Sequence, residues 1–254
     1  MPGAEAAIPS WLAANLAVAG VAAGTTTRDG GVSEGAFRSL NLGAHVGDDP
    51  AAVAANRRRL AERLALPSEP LGLNQVHGTR VVEHTGSGPA PEADAAVTFA
   101  PGRVLAVLTA DCLPVVLASR DGQRLGVAHA GWRGLAAGVL ERTVEALGVP
   151  GRELVAWLGP AIGPNAFEVG GEVREAFLAT DPGAGVAFTP NERGRWQANL
   201  AGLARRRLEA LGLATVTGGG ECTYTDAGRF YSFRREPRTG RLATLAWIRG
   251  TGVD

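Results

Sequence analysis

Apolar residues fall in short runs separated by glycine- and proline-rich polar stretches, and the period within the runs switches between that of a strand and that of a helix. Strands are expected at residues 18–25, 71–76, 104–109, 125–128, 154–158, 214–217 and 244–248. Residues 80–83 continue extended, 86–93 form a Gly/Pro loop, and 94–97 return to apolar structure. A helix opens at Pro50, with Asp48 or Asp49 as its cap and with Val53, Leu60 and Leu64 on one face. Arg57, Arg58 and Arg59 then read as its solvated side, with an anion site as the alternative. Further helices are expected at 135–147, stopped by Gly148-Val149-Pro150, at 172–178, and at 200–211, where Arg205, Arg206 and Arg207 form the wet face. Residues 1–10 read as loose, 28–33 as a turn-rich loop, 40–47 as irregular and 181–185 as loop.

Strands and helices both recur, and hairpin-like neighbours mix with crossovers. That pattern argues for an α/β or α+β fold with a mixed sheet, and one domain over residues 1–254 is the simplest reading. Apolar residues make up 45% of the 254-residue chain, enough for a large core. Twenty-five basic residues balance 25 acidic ones, so no global field points to nucleic acid or an anionic membrane. Every basic residue is arginine, which excludes Schiff-base and P-loop lysine chemistry. Two cysteines do not make a disulfide framework, and no run approaches the ~18 apolar residues of a membrane span. Residues 11–24 lack a basic leader region, so the cytoplasm is the expected compartment.

Candidate chemistry concentrates between Leu105 and Arg133. The run 104–109 stops at Ala110-Asp111-Cys112, and the run 125–128 stops at His129. His77 follows an earlier apolar run in the same way. A thiolate and two imidazoles match a three-ligand zinc site with one open position. Spacing alone leaves two other readings open. One is a metal-free pair with Cys112 as nucleophile and His129 as base; the other is a small core cysteine with satisfied histidines. Gly131-Trp132-Arg133-Gly134 lies between a strand and a helix, where backbone N–H groups and Arg133 could hold an anion; a surface arginine and a packing tryptophan are the plain alternative. Asp111 either touches substrate or caps a turn. Asn41 and His45 lie in the irregular loop, where an amide either reads a ligand edge or holds the loop, and His84 reads as exposed. Four histidines cannot supply a blue-copper site plus a trinuclear copper cluster.

Several motifs occur in an order shared with one family. They are Thr26-Thr27-Arg28-Asp29-Gly30-Gly31-Val32-Ser33, Ser39-Leu40-Asn41-Leu42-Gly43, Val46-Gly47-Asp48 and Asn74-Gln75-Val76-His77-Gly78. Thr109-Ala110-Asp111-Cys112-Leu113-Pro114, His129-Ala130-Gly131-Trp132-Arg133-Gly134, Gly159-Pro160-Ala161-Ile162-Gly163-Pro164 and Tyr231-Ser232-Phe233-Arg234-Arg235 follow. From about residue 20 to 249 the chain resembles the bacterial laccase-domain, polyphenol oxidase-like proteins, more recently described as purine nucleoside phosphorylases. The resemblance implies an α+β domain of α/β/β/α layers with a mixed β-sheet core. It implies zinc on His77, Cys112 and His129, with copper the lesser alternative. It also implies phosphorolysis of adenosine, inosine, guanosine and methylthioadenosine, and deamination of adenosine. Cys112, His129 and Arg133 are then the expected catalytic residues, and Asn41, Gln75, Asp111 and Arg133 the substrate contacts. Expected partners are purine nucleosides and phosphate, with no nucleic acid or membrane, in a monomer or weak homodimer. The chain departs from the family at Asn165, where members often carry Cys, and at Asn199, where they often carry Asp. A hydrolase using Cys112 on a cell-wall precursor, and a non-catalytic zinc module that senses nucleotides, are the competing functions.

Overall fold

A computed structural model of the chain describes residues 10–86 and 88–250. The first half carries β1 (Trp11–Ala13), β2 (Val21–Thr26), α1 (Pro50–Leu64), β3 (Val81–Glu83), β4 (Ala95–Thr98), β5 (Val104–Thr109), β6 (Leu113–Ser119) and β7 (Leu125–Ala130). Then come α2 (Trp132–Ala137), α3 (Val139–Leu147), β8 (Leu154–Leu158), β9 (Glu168–Val169) and α4 (Gly171–Leu178). The chain ends through β10 (Phe188–Pro190), β11 (Trp196–Ala198), α5 (Leu200–Ala210), β12 (Thr215–Gly218) and β13 (Leu242–Ile248). No helix of the described residues is long and apolar enough to cross a membrane.

Two sheets stack face to face. One is antiparallel, in the order β1-β2-β13-β5; the other is mixed, in the order β12-β8-β6-β7-β4-β3, with parallel pairs at both edges. Strand alternation assigns the faces. On β5, Leu105 and Val107 face the second sheet, where they meet Val116, Leu125, Val127 and Trp157. Their neighbours Val104 and Ala106 face outward and pack with Leu60 of α1 and with Leu40 and Leu42 of the segment before it. On the second sheet, Val115, Leu117 and Ala128 turn the other way, against Leu140 and Leu147 of α3 and Leu203 and Leu208 of α5. The layers are therefore α/β/β/α around a mixed sheet, as the resemblance implied. β6, β7 and β8 are buried along their whole length because both faces of their sheet are covered.

Several expectations need correction. The stretch from Leu105 to Arg133 holds three strands, because β6 begins directly after Cys112. Pro114 argues against a central strand, yet it sits at the second residue of β6, before pairing with β8 starts at Val115, so its missing N–H is tolerated. Residues 71–76 make only isolated bridges, at Leu71 and Asn74. Gln75 interrupts the ladder by substituting its side-chain amide for backbone: it donates to the Leu108 carbonyl (2.8 Å) and accepts from the Leu108 N–H (2.7 Å). The helix expected over 135–147 is two helices, broken where Gly138 takes φ of 100°, a left-handed conformation natural to glycine. Residues 182–187 form a 3₁₀ turn rather than loop, and β1, β9, β10 and β11 are too short to show a period. Arg207 is not on a wet face; its guanidinium pairs with Glu141 at 2.6 Å and lies over the Phe177 ring. His84 is buried, not exposed. Of the residues read as loose, 1–9 lie outside those described. Asn199 takes over the capping role of an aspartate by accepting from the Gly202 N–H at the start of α5.

Candidate metal centre and its cavity

β5 and β6 belong to different sheets, so the turn at 110–112 is where the chain crosses between layers. Asp111 takes φ of 98° there, and its carboxylate ties down the segment after β12. It accepts from the hydroxyls of Thr223 (2.6 Å) and Ser232 (3.0 Å) and from the Arg234 N–H (2.7 Å). Asp111 and Cys112 are thus placed by a strained turn and not by strand alternation. Cys112 is half-buried beside it. His129 lies near the end of β7 and shares the parity of Leu125 and Val127, which directs it into the layer between the sheets. His77 arrives from an exposed loop with φ of 61°.

Ligand atoms of His77, Cys112 and His129 all lie within 4.8 Å of one another. Cys112 Sγ is 3.8 Å from His77 Nε2, and the two imidazoles meet edge to face at 4.8 Å between centroids. This cluster could hold a metal ion. Asp94, fully buried, organises it. One carboxylate oxygen is 2.8 Å from His129 Nδ1 and also accepts the His77 N–H at 2.9 Å; the other accepts from Gly78 (2.7 Å) and Val76 (3.2 Å). Asp94 therefore holds the His129 ring and shapes the loop that carries His77. Burial would raise its carboxyl pKa, but the bonds from His129, Gly78 and Val76 outweigh that and hold it below the ordinary value. Gly131 completes the packing. A Cβ there would lie 2.9 Å from His77 Cδ2 and 3.0 Å from Cys112 Sγ, so the first glycine of Gly131-Trp132-Arg133-Gly134 makes room for the cluster.

The charges support one another. Burial opposes ionisation of Cys112, yet the facing His129 and then His77 bring its thiol down to about 6. Burial likewise opposes a charge on His129, yet Cys112 and Asp94 lift it to about 9. The thiolate is the reactive form of cysteine, and it accumulates above the thiol pKa. In metal-free protein, alkylation of Cys112 should therefore rise with pH to a plateau with its midpoint near 6, as read by peptide mass mapping. A midpoint at 8 or above would contradict the geometry.

A cavity of about 420 Å³ opens onto the cluster, a size within the range of small-molecule sites. Leu73, Ile162, Phe167 and Phe233 give it apolar walls; His45, Arg234 and Arg241 give it cationic ones. Of the expected substrate contacts, Gln75 and Asp111 line it, but their polar atoms are engaged in the bonds described above. Asn41 does not line it. Fully buried, it donates to the Gly43 carbonyl and the Asp48 carboxylate and accepts from the N–H groups of Gly43 and Arg241. Its role is to hold the loop. Arg133 is also outside the lining: it is exposed, with its guanidinium 4.4 Å from the centre of the Trp132 ring. Of that turn, Trp132 is the residue that lines the cavity. Sequence reasoning missed Asp94, Arg234 and Arg241 as members of the site. An aspartate opening the apolar run at 94–97 was the one available signal for the first.

Residues 22–249 match the family described as multi-copper polyphenol oxidoreductase laccase. A purine nucleoside phosphorylase of Pseudomonas aeruginosa is 56% identical over 241 residues, covering 94% of this chain and 98% of the relative. Purine nucleoside phosphorylase YfiH of Escherichia coli is 51% identical over 230 residues, 90% of this chain and 94% of the relative. Among solved structures, Neisseria meningitidis protein NMB0706 superposes with a TM-score of 0.90 at 46% identity, covering 94% of this chain and 99% of that one. YlmD of Geobacillus stearothermophilus gives 0.85 at 34% identity, with coverage of 91% and 93%.

Proposed function

The chain belongs to the multi-copper polyphenol oxidoreductase laccase family, and on that premise we propose that it is a zinc-dependent purine nucleoside phosphorylase with adenosine deaminase activity. The observation that carries the reading is the cluster of one thiolate and two imidazoles at the wall of a nucleoside-sized cavity. A tetrahedron with Zn–S of about 2.3 Å and Zn–N of about 2.0 Å has an S···N edge of about 3.5 Å. The 3.8 Å between Cys112 Sγ and His77 Nε2 is close to that edge, and His77, Cys112 and His129 would hold the ion with three protein donors. Copper chemistry of the kind in the family's description needs more imidazoles than the chain's four histidines.

Bound zinc supplies a Lewis acid and lowers the pKa of a water it holds. The chain's own residues supply the rest. His77, Cys112 and His129 hold the ion, and Asp94 keeps the His129 Nε2 lone pair available by engaging Nδ1. Phe167, Phe233, Ile162 and Leu73 offer apolar surface to a purine. In phosphorolysis a phosphate oxygen bonds to ribose C1′ as the glycosidic bond breaks, releasing base and ribose 1-phosphate. In deamination, water adds at C6 of adenine and ammonia leaves. Adenosine, inosine, guanosine and methylthioadenosine are the substrates of this reading. Its other parts are one domain over residues 1–254, a cytoplasmic site of action and a monomer or weak homodimer.

Metal-loaded protein incubated with adenosine should give adenine and ribose 1-phosphate only when phosphate is present, and inosine with or without it, by chromatography. Formation of neither adenine nor inosine overturns the reading. The low thiol pKa of Cys112 favours one alternative, a hydrolase using Cys112 as nucleophile and His129 as base. Such an enzyme would keep its activity after chelation, and a zinc enzyme would not. A purely structural zinc would call for a fourth protein ligand, and the cluster offers three.

A further inference from the structure

The cavity is unevenly charged. Asp111 is the one acid in its lining, and that carboxylate already accepts three hydrogen bonds. Two arginines line the same cavity, and neither pairs with a carboxylate among the described residues. A guanidinium carries five N–H donors in a planar fork suited to oxyanions. Among the described residues only NH1 of Arg241 has protein acceptors, the carbonyls of Thr239 and Gly240 at 3.1 Å each. In Arg234 only NH1 does so, at the Glu168 carbonyl 2.9 Å away. Among the described residues the remaining donors of both side chains have no acceptor.

Arg241 is also held in place. Its N–H donates to Asn41, and its stem packs so closely on Gly43 that a Cβ there would lie 2.7 Å from Arg241 Cγ. The carbonyl of the intervening Leu42 accepts twice from Arg57 of α1, at 2.8 and 3.1 Å. The irregular segment at 40–47 therefore seats a cationic side chain against the cavity. His45, on the same segment, lines the cavity too and is kept below its ordinary pKa by burial and then by Arg241 and Arg57. Burial is the larger cause, and the two arginines add to it in the same direction.

We propose that Arg241 and Arg234, with His45 beside them, form an oxyanion subsite for inorganic phosphate in the cavity that holds His77, Cys112 and His129. The choice of phosphate as the occupant rests on the phosphorolysis reading; the oxyanion chemistry rests on the arginines. Arg133, the residue the chain's motifs suggest for this task, is outside the cavity and is replaced in it by two arginines from the segment between β12 and β13 and its boundary.

Equilibrium binding of inorganic phosphate tests this without turnover. Wild-type protein, Arg241→Gln and Arg234→Gln, each with its metal content measured, are titrated with phosphate by calorimetry and by ³¹P line broadening. Wild type should bind, and Arg241→Gln should bind at least about tenfold more weakly at unchanged metal content, a loss expected when one charged partner of an oxyanion is removed. Arg234→Gln should show a smaller loss in the same direction. Because Arg241 also holds two loop carbonyls, the exposed Arg234 decides the matter if Arg241→Gln does not fold. Wild-type protein that binds no phosphate, folded variants that bind as wild type does, or binding lost through Arg133→Gln instead, each overturns the proposal. If phosphate binds through these arginines but no ribose 1-phosphate forms from any purine nucleoside, the phosphorylase reading fails and the subsite stands.

Discussion

Cys112→Ala should leave a folded protein that has lost its metal and with it about 10³-fold or more of its activity. The magnitude follows from the several kcal/mol of charge stabilisation that a catalytic metal contributes, at 1.36 kcal/mol per tenfold. Folding should survive because the thiol is half-buried in a turn, outside the interlayer cluster of Leu105, Val107, Val116 and Val127. Elemental analysis should find well under one metal ion per chain, while circular dichroism stays that of wild type. Retention of one tightly held ion, with activity near wild type, would remove Cys112 from the ligand set and favour a site built without it.

Asp94→Asn is the second large effect, and it acts at a distance from any substrate. The carboxylate accepts four hydrogen bonds, from the His129 ring and from the N–H groups of Val76, His77 and Gly78, with no exposure to water. An amide of the same shape has one oxygen and turns an NH₂ toward N–H donors. Metal affinity should fall about 10- to 100-fold, the usual consequence of losing the partner of a ligating histidine. The metal-free protein should lose about 3–5 kcal/mol in urea unfolding, because one member of a buried, hydrogen-bonded pair has been removed. The pH dependence has a definite sign. The folded pKa of Asp94 is depressed, so its contribution is fully present above the unfolded carboxyl pKa of about 3.9 and is lost as pH falls through the folded value. The gap between wild type and Asp94→Asn should therefore be widest at neutral pH and close in acid. A gap of under 1 kcal/mol at pH 7 together with unchanged metal affinity would reduce Asp94 to an ordinary buried polar residue.

The charged side chains show why residue type alone misled in places. Arg207 belongs to a triplet that looks solvated, but α5 packs on α3, and that guanidinium meets Glu141 there and lies over Phe177 of α4. Arg133 and Arg241 are indistinguishable as letters. One stacks on Trp132 at the surface, and the other is drawn into the cavity by a loop that Asn41 and Arg57 hold. Asn41 itself looked like a ligand-reading amide, and all of its bonds go to protein.

By itself the sequence determined the local facts of this protein. Runs at 104–109 and 154–158 could only be buried strands, because they are short, apolar and rich in β-branched residues and leucine. Asp49 and Pro50 set the start of α1 through cap and φ, which are properties of one or two residues. His77, Cys112 and His129 were legible as a donor set from their chemistry and, by resemblance, from the order of their motifs. Only the tertiary structure decided which groups meet. The cluster depends on a turn that crosses from one sheet to the other, on β6 hidden behind a proline, and on a buried carboxylate that binds three successive N–H groups of a loop sixteen to eighteen residues earlier. Those are long-range pairings, whose stability comes from desolvation and mutual satisfaction once the layers have closed, and no window of sequence contains both partners.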